Sequence, residues 1–138
     1  MNPIESLKLD TVIEALVTRE GWRLRDAEEV ADLYRNYLYL SVKYPEKQFP
    51  PSEDVDEFWH THILDTAKYR ADCEVIFGHY FDHKPSMKSV DLSSSNELSA
   101  GFQEFQVLHY QEFGDYVYEV RGRLQKLISL CKKLFKKG

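Results

Sequence analysis

"VDEFWHTHILDTAKY", Val55–Tyr69, is the stretch on which the reading of this chain turns. Its apolar and aromatic residues recur every three or four positions, which is the period of an α-helix. Val55, Trp59, His62, Thr66, Tyr69, Cys73 and Ile76 continue one face without a gap, and Asp56, His60, Ile63 and Ala67 lie on the face beside it. Successive helical residues turn by about 100°, so His60 and His62 stand about 200° apart around the axis. An HxH pair chelates one ion naturally on a strand. On a regular helix its two rings point almost opposite ways. The stretch therefore predicts a helix with two separate clusters, Asp56 with His60 and the polar-aromatic seam of Trp59, His62, Tyr69 and Cys73.

This helix is expected to be the third of the chain. It begins near Ser52 or Asp54, with Asp54 and Glu57 at capping-box spacing, and runs to about Phe77, where Gly78 can close it. Upstream, Asn2, Pro3 and Glu5 form a helix-start pattern. Leu9, Val12, Ile13, Leu16 and Val17 supply its apolar stripe, and Gly21 is placed to end it. A second helix is expected from about Leu24 to Tyr44. It is apolar on two faces, which suits a central position, and Pro45 stops it. Downstream, "HYFDHKPSMKSVDLSSSN" reads as a long connection, mobile over about residues 84–94. Ser94 and Glu97 form a further capping box. From there the pattern stays helical almost to the end, with Gly114 as a break and a basic last helix over about 115–137. The stripe Phe113, Val117, Val120, Leu124, Leu127, Ile128, Cys131, Leu134, Phe135 is expected to face the core. His109, on an apolar stripe, reads as a satisfied core histidine, and His79 as exposed. Strand-type alternation is missing. The fold class is all-α, a single-domain bundle of four to five helices spanning residues 1–138.

The composition agrees with a folded domain: 138 residues, 43% hydrophobic and 14% aromatic, with few Gly and Pro. No apolar run approaches the roughly 20 residues of a membrane span, and the first residues lack a signal-peptide pattern, so a cytoplasmic protein is expected. Cys73 and Cys131 are far apart, without CxxC spacing, and are expected to be free and buried. Seven of the 18 bases follow Glu119, whereas none of the 23 acids does. An acidic body with a basic tail argues against nucleic acid as a partner and leaves the tail as a contact surface. "LQKLISLCKKLFKK" is apolar on one side and basic on the other, so membrane contact by this helix is an alternative to simple packing in the bundle. No Gly-rich phosphate loop, G-x-S-x-G elbow or H-E-x-x-H motif occurs.

Asp56 and His60, four residues apart, can share a metal, or the carboxylate can fix the histidine tautomer. They can equally be an ordinary boundary pair. His83 and Asp82 follow the Gly78 stop and can fold back towards the third helix. The seam of Trp59, His62, Tyr69 and Cys73 can line a pocket or fill a core.

"PPSEDVDEFWHTHILDTAKYRADCEVIFGHYFDHKP", residues 50–85, resembles the glycine-rich domain-containing protein-like family, found in plant glycine-rich domain proteins and in small stand-alone bacterial proteins. The family pattern runs D-x-x-W-H-x-H-x-L, Y-x-x-D-C, F-G and H-x-P. It maps onto Asp56, Trp59, His60, His62, Leu64, Tyr69, Asp72, Cys73, Phe77, Gly78, His83 and Pro85. Asp82 stands where bacterial members often carry a further histidine, and Ser86 where an aromatic often follows the proline. The resemblance implies a helical domain and weighs towards chemistry at Asp56, His60, His62 and His83, since packing alone would accept Leu or Phe there. These four are the candidate metal ligands. Zinc, iron, nickel or manganese suits such nitrogen and oxygen donors, and an open coordination position would serve hydrolysis or oxidation. The alternative is a non-enzymatic interaction module that binds a protein or small molecule, with Trp59, His62, Tyr69 and Cys73 as a rigid motif core.

Overall fold

A computed structural model describes residues 2–84, 88–92 and 98–136. Among these the chain forms six helices: α1 Asp10–Thr18, α2 Leu24–Lys43, α3 Glu53–Leu64, α4 Thr66–Phe77, α5 Ala100–Phe113 and α6 Arg123–Lys136. The described residues hold no strand. One parallel bridge joins Ser52 and Val90, through Glu53 N–H to Val90 O at 3.0 Å and Val90 N–H to Pro51 O at 2.8 Å. The all-α class holds, with six helices where four to five were expected.

The extra helix comes from a break in the expected third helix. Asp65, with φ −85° and ψ 74°, ends α3, and α4 starts at Thr66. No Gly or Pro marks this point. The break is nonetheless required by the bonds across it. Trp59 and Tyr69 are ten residues apart, as are His62 and Asp72, yet each pair meets at 2.8 Å. In a continuous helix ten residues span about 15 Å along the axis. The single seam running from Val55 to Ile76 is therefore corrected. Trp59 and His62 on α3 face Tyr69, Asp72 and Cys73 on α4, and Thr66 is exposed.

Two helix starts also differ from expectation. Asn2 does accept the Ile4 amide at 2.9 Å, but only a turn follows, and α1 begins at Asp10. Ser52, not Asp54, caps α3, accepting from the Val55 amide at 3.3 Å. Asp54 is buried and accepts the amides of Val120 and Arg121, at 3.0 and 3.1 Å. The carboxylate thus ties the start of α3 to a segment 66 residues later. The Ser94–Glu97 capping box, Pro85 and Ser86 lie outside the described residues, and the expected mobile loop of about 84–94 does so in part.

α2 is central, as its two apolar faces imply. Tyr34 and Tyr37 are buried against Phe58 and Trp59 of α3, with ring centroids 5.0 and 5.3 Å apart. Leu9, Val12 and Leu16 cover α2 and α3 from one side, while Phe102 and Phe105 of α5 close another. His109 is fully buried. Its Nδ1–H donates to the Asp115 carbonyl at 2.7 Å, and its Nε2 accepts from Asn36 at 3.2 Å. It is the satisfied core histidine that its position implies.

The C-terminal part departs most from expectation. Gly114, at φ 82°, ends α5, and α6 starts only at Arg123, so residues 115–122 are not helical. Val117 is buried, but Leu124, Leu127, Ile128, Leu130, Leu134 and Phe135 are exposed. Cys131 is exposed as well, whereas Cys73 is buried, and both are free. α6 docks by its polar side. Ser129 Oγ donates to the Gly21 carbonyl at 3.0 Å. Lys126 bridges Glu53 and Glu119 at 2.9 Å each, and Lys133 pairs with Glu20. Gly21, at φ 73°, is the seat of this contact, since a Cβ there would lie 2.9 Å from the Ser129 carbonyl oxygen. Arg121 is buried beneath α6, with its guanidinium over Trp22 at 4.1 Å. It donates to Glu57 at 3.1 Å and to Ser129 Oγ at 2.6 Å. Among the described residues no helix is long and apolar enough to cross a membrane.

Candidate metal centre

Two opposite sides of α3 carry the conspicuous residues of the opening stretch, and the structure uses them differently. On the inner side a buried hydrogen-bond chain runs through His62. Asp72, an acceptor only when ionised, takes the His62 Nε2–H at 2.8 Å. Nδ1 of the neutral ring is then left as an acceptor, and the Tyr34 hydroxyl donates to it at 2.7 Å. Lys68 donates to the same Asp72 oxygen at 2.8 Å. Burial lowers the pKa of His62 from the ordinary histidine value, against the pull of Asp72. Neither ring nitrogen has a lone pair free for a metal.

A second chain fastens the segment that follows α4. The Trp59 indole N–H donates to the Tyr69 hydroxyl at 2.8 Å, and that hydroxyl donates to the Phe81 carbonyl at 2.5 Å. Burial pushes the Tyr69 phenol up, so it stays neutral and keeps the proton it donates. Burial also pushes the Cys73 thiol up, against contacts from the Phe81 backbone and Tyr69. Cys73 is thereby a small core residue rather than a thiolate. Phe81 stacks on Trp59 at 5.1 Å and on Phe77 at 4.4 Å. Gly78, in the left-handed region at φ 77°, turns the chain back so that this stacking is reached.

The result of that return is a cluster on the outer side of α3. His83 Nε2 lies 2.5 Å from Asp56 Oδ1. The His83 ring sits 4.6 Å from the His60 ring and 4.1 Å from Trp59, centroid to centroid. One donor atom from each of Asp56, His60 and His83 falls within 4.8 Å of the others. Bonds of about 2.0–2.2 Å to a common ion place donor atoms roughly 3–3.6 Å apart. Closing on an ion would require the Asp56–His83 hydrogen bond to open and the exposed His60 ring to turn towards that pair. The three residues line an open depression of about 720 Å³ with Ile63, Asp82 and Lys88. Asp56 and His60 also border a cleft of about 430 Å³ whose far wall is α6 and Arg121.

Of the four candidate ligands, Asp56, His60 and His83 are thus brought together. His62 is not, because it points to the opposite side and both its nitrogens are engaged. Trp59, Tyr69 and Cys73 are core, and they position the His83 segment rather than line a pocket. The structural roles of three residues were not legible in the sequence. Asp72 is ten residues from His62, a spacing with meaning only once α3 and α4 separate. Asp54 looked like a cap. Arg121 looked like one base among the seven of the tail, and no periodicity marks it as buried.

No solved structure matches the chain. Over 61 residues it is 34% identical to "Glycine-rich domain-containing protein 1" of Arabidopsis thaliana, a stretch that covers 40% of this chain and 7% of that protein. The likeness agrees with the resemblance read from residues 50–85. The chain spans only a small part of the length of this relative. The broader match covers residues 4–124, α1 to α5 with the Asp56–His60–His83 cluster inside it and α6 almost wholly beyond it, and on that match the chain belongs to the UCP032817-like family.

Proposed function

We propose that Asp56, His60 and His83 bind a divalent transition metal ion. The observation that carries this reading is the convergence of one carboxylate oxygen and two imidazole nitrogens within 4.8 Å, on the outer side of α3 and open to solvent. Nitrogen and oxygen donors of this kind suit zinc, iron, nickel or manganese. Two of the ligands are fixed by helix geometry at i and i+4. The third is delivered by a segment that Trp59 and Tyr69 hold in place, so the set is largely pre-organised. A bound ion would supply Lewis acidity at an accessible position. Asp82 and Lys88, on the rim of the same depression, are placed to meet a small ligand there.

Elemental analysis of protein purified without a histidine tag tests this reading. The expected result is one equivalent of metal, lost in His60→Ala and in His83→Ala with helicity unchanged by circular dichroism. Metal uptake should weaken on acidification, because imidazole ligands must shed protons to coordinate. Absence of stoichiometric metal after loading with each of the four ions overturns it.

The alternative, a binding module without chemistry, is favoured by one observation. Trp59, His62, Tyr69 and Cys73 are all buried with their polar atoms partnered. Half of the motif thus has a structural explanation, and the metal reading rests on the other half alone.

A further inference from the structure

α6 lies with its polar side inward. Ser129, Lys126 and Lys133 face the body, while Leu124, Leu127, Leu130, Leu134 and Phe135 are 51–86% exposed and Ile128 lies beside them. An amphipathic helix ordinarily buries the opposite face. We propose that this face of α6 is the interface of a homodimer, covered by α6 of a second copy of the chain.

Three features select a second copy. The first is the register: Leu124, Leu127, Cys131 and Leu134 fall at successive a and d positions of two heptads, with Ile128 and Phe135 at e and Leu130 at g. Among the described residues only Arg123 puts a charge at these positions, so two such faces meet without like-charge contact. The second is area. The exposed parts of the six large apolar side chains amount to roughly 650–700 Å² per copy, so pairing can bury at most roughly 1,300–1,400 Å², which reaches the lower part of the range of specific interfaces at about 1,200–2,000 Å². The third concerns the obvious rival, an anionic membrane. Surface-lying helices set their lysines towards headgroups. Here Lys126 and Lys133 are turned inward onto Glu53, Glu119 and Glu20, and every acid of the chain belongs to the body or the segment that leads into α6.

The pairing has a consequence for the cleft beside Asp56 and His60. α6 supplies Lys126, Ser129, Leu130 and Lys133 to its wall, and Lys126, Ser129 and Lys133 fasten it there through polar contacts. A second copy clamps that wall from outside. The inference is independent of any metal at the cluster, because none of the six apolar residues is a candidate ligand and only Leu130 among them also lines the cleft.

Sedimentation equilibrium of the full chain at tens of micromolar tests it. The expected mass is twice 16.3 kDa for wild type and the single-chain mass for Leu127→Glu/Leu134→Glu, with unchanged helicity. Both positions are exposed within one copy, so neither substitution burdens its fold. Phe135→Glu alone should raise the dimer dissociation constant at least about tenfold, equal to roughly 1.4 kcal/mol. A wild-type monomer at every concentration overturns the proposal, as does a dimer indifferent to these substitutions. So does a monomer that pellets with phosphatidylserine vesicles through α6, which would assign the face to a membrane.

Discussion

Replacing Tyr69 by Phe removes one oxygen from a buried ring and leaves the core volume almost unchanged, so no cavity cost enters. What it removes is the joint between Trp59 and Phe81. The indole N–H of Trp59 is fully buried and loses its acceptor at 2.8 Å. A buried donor left in that state costs about 1–3 kcal/mol. The Phe81 carbonyl loses its donor at 2.5 Å, and because Phe81 is only half-buried, water recovers part of that loss, leaving about 1 kcal/mol. The sum is a destabilisation of about 2–4 kcal/mol, or a fall in Tm of roughly 10 °C for a chain of this size. Urea unfolding of wild type and Tyr69→Phe measures the first figure. Hydrogen exchange of the amides from His79 to Lys84 should quicken, since the segment carrying His83 has lost its fastening. The double variant Trp59→Phe/Tyr69→Phe should cost clearly less than the two single changes added, because the unpaired indole donor is gone. A loss below about 0.5 kcal/mol for Tyr69→Phe, or strict additivity of the pair, would refute the view that this hydroxyl ties the segment to α3.

Two further expectations test other parts of the fold. Burial holds His62 below the ordinary histidine pKa, so the folded chain binds this proton less readily than the unfolded one. Its contribution to stability is intact above that ordinary range and falls away as the pH drops through the lowered folded value. Asp54 and Glu119, raised by burial, act in the opposite sense at lower pH. The difference between wild type and His62→Gln therefore isolates the histidine, and it should shrink between neutral pH and about pH 5; a constant difference contradicts the buried neutral ring. Gly21→Ala and Gly78→Ala both place a side chain at positive φ, at about 1–2 kcal/mol each, but only at Gly21 would the Cβ meet the backbone of α6. Gly21→Ala should be the costlier in denaturant and should also speed exchange from Ser129 to Lys133. Equal costs would mean that Gly21 is not the seat of α6.

The parts of the fold legible in the sequence are those written as local pattern. The 3.6-residue period of α2, the stop at Pro45 and the glycines at 21, 78 and 114 each act within a few residues of themselves, and the structure places them nearly as read. The opposed directions of His60 and His62 follow from helix geometry alone and survive the break at Asp65, which lies beyond both. The break itself carries only the weak signal of Asp65 and Thr66, residues at home in a cap, inside an otherwise unbroken stripe. What forces it is the tertiary gain of placing Tyr69 and Asp72 against Trp59 and His62. The reversed docking of α6 was also hidden. Its apolar stripe is the usual mark of a face turned to the core, and only the seat at Gly21 with the acids Glu20, Glu53 and Glu119 turns the lysine side inward. Of the candidate ligands, the joining of His83 to Asp56 and His60 was suggested by the turn at Gly78, while the exclusion of His62 needed its two partners in view.

The tie between Asp54 and the amides of Val120 and Arg121 bears on the order in which the molecule can be made. A ribosome delivers α1 to α4 well before those donors exist. Until Arg121 emerges, the carboxylate of Asp54 lacks the two amides that offset its burial, and Trp22 lacks the guanidinium that lies over it. The nascent first half is therefore held back from its final packing, and a chain cut short before Val120 would present an open flank to proteases and chaperones. Completion of the C-terminal segment acts as the latch on a structure whose candidate site lies near its middle.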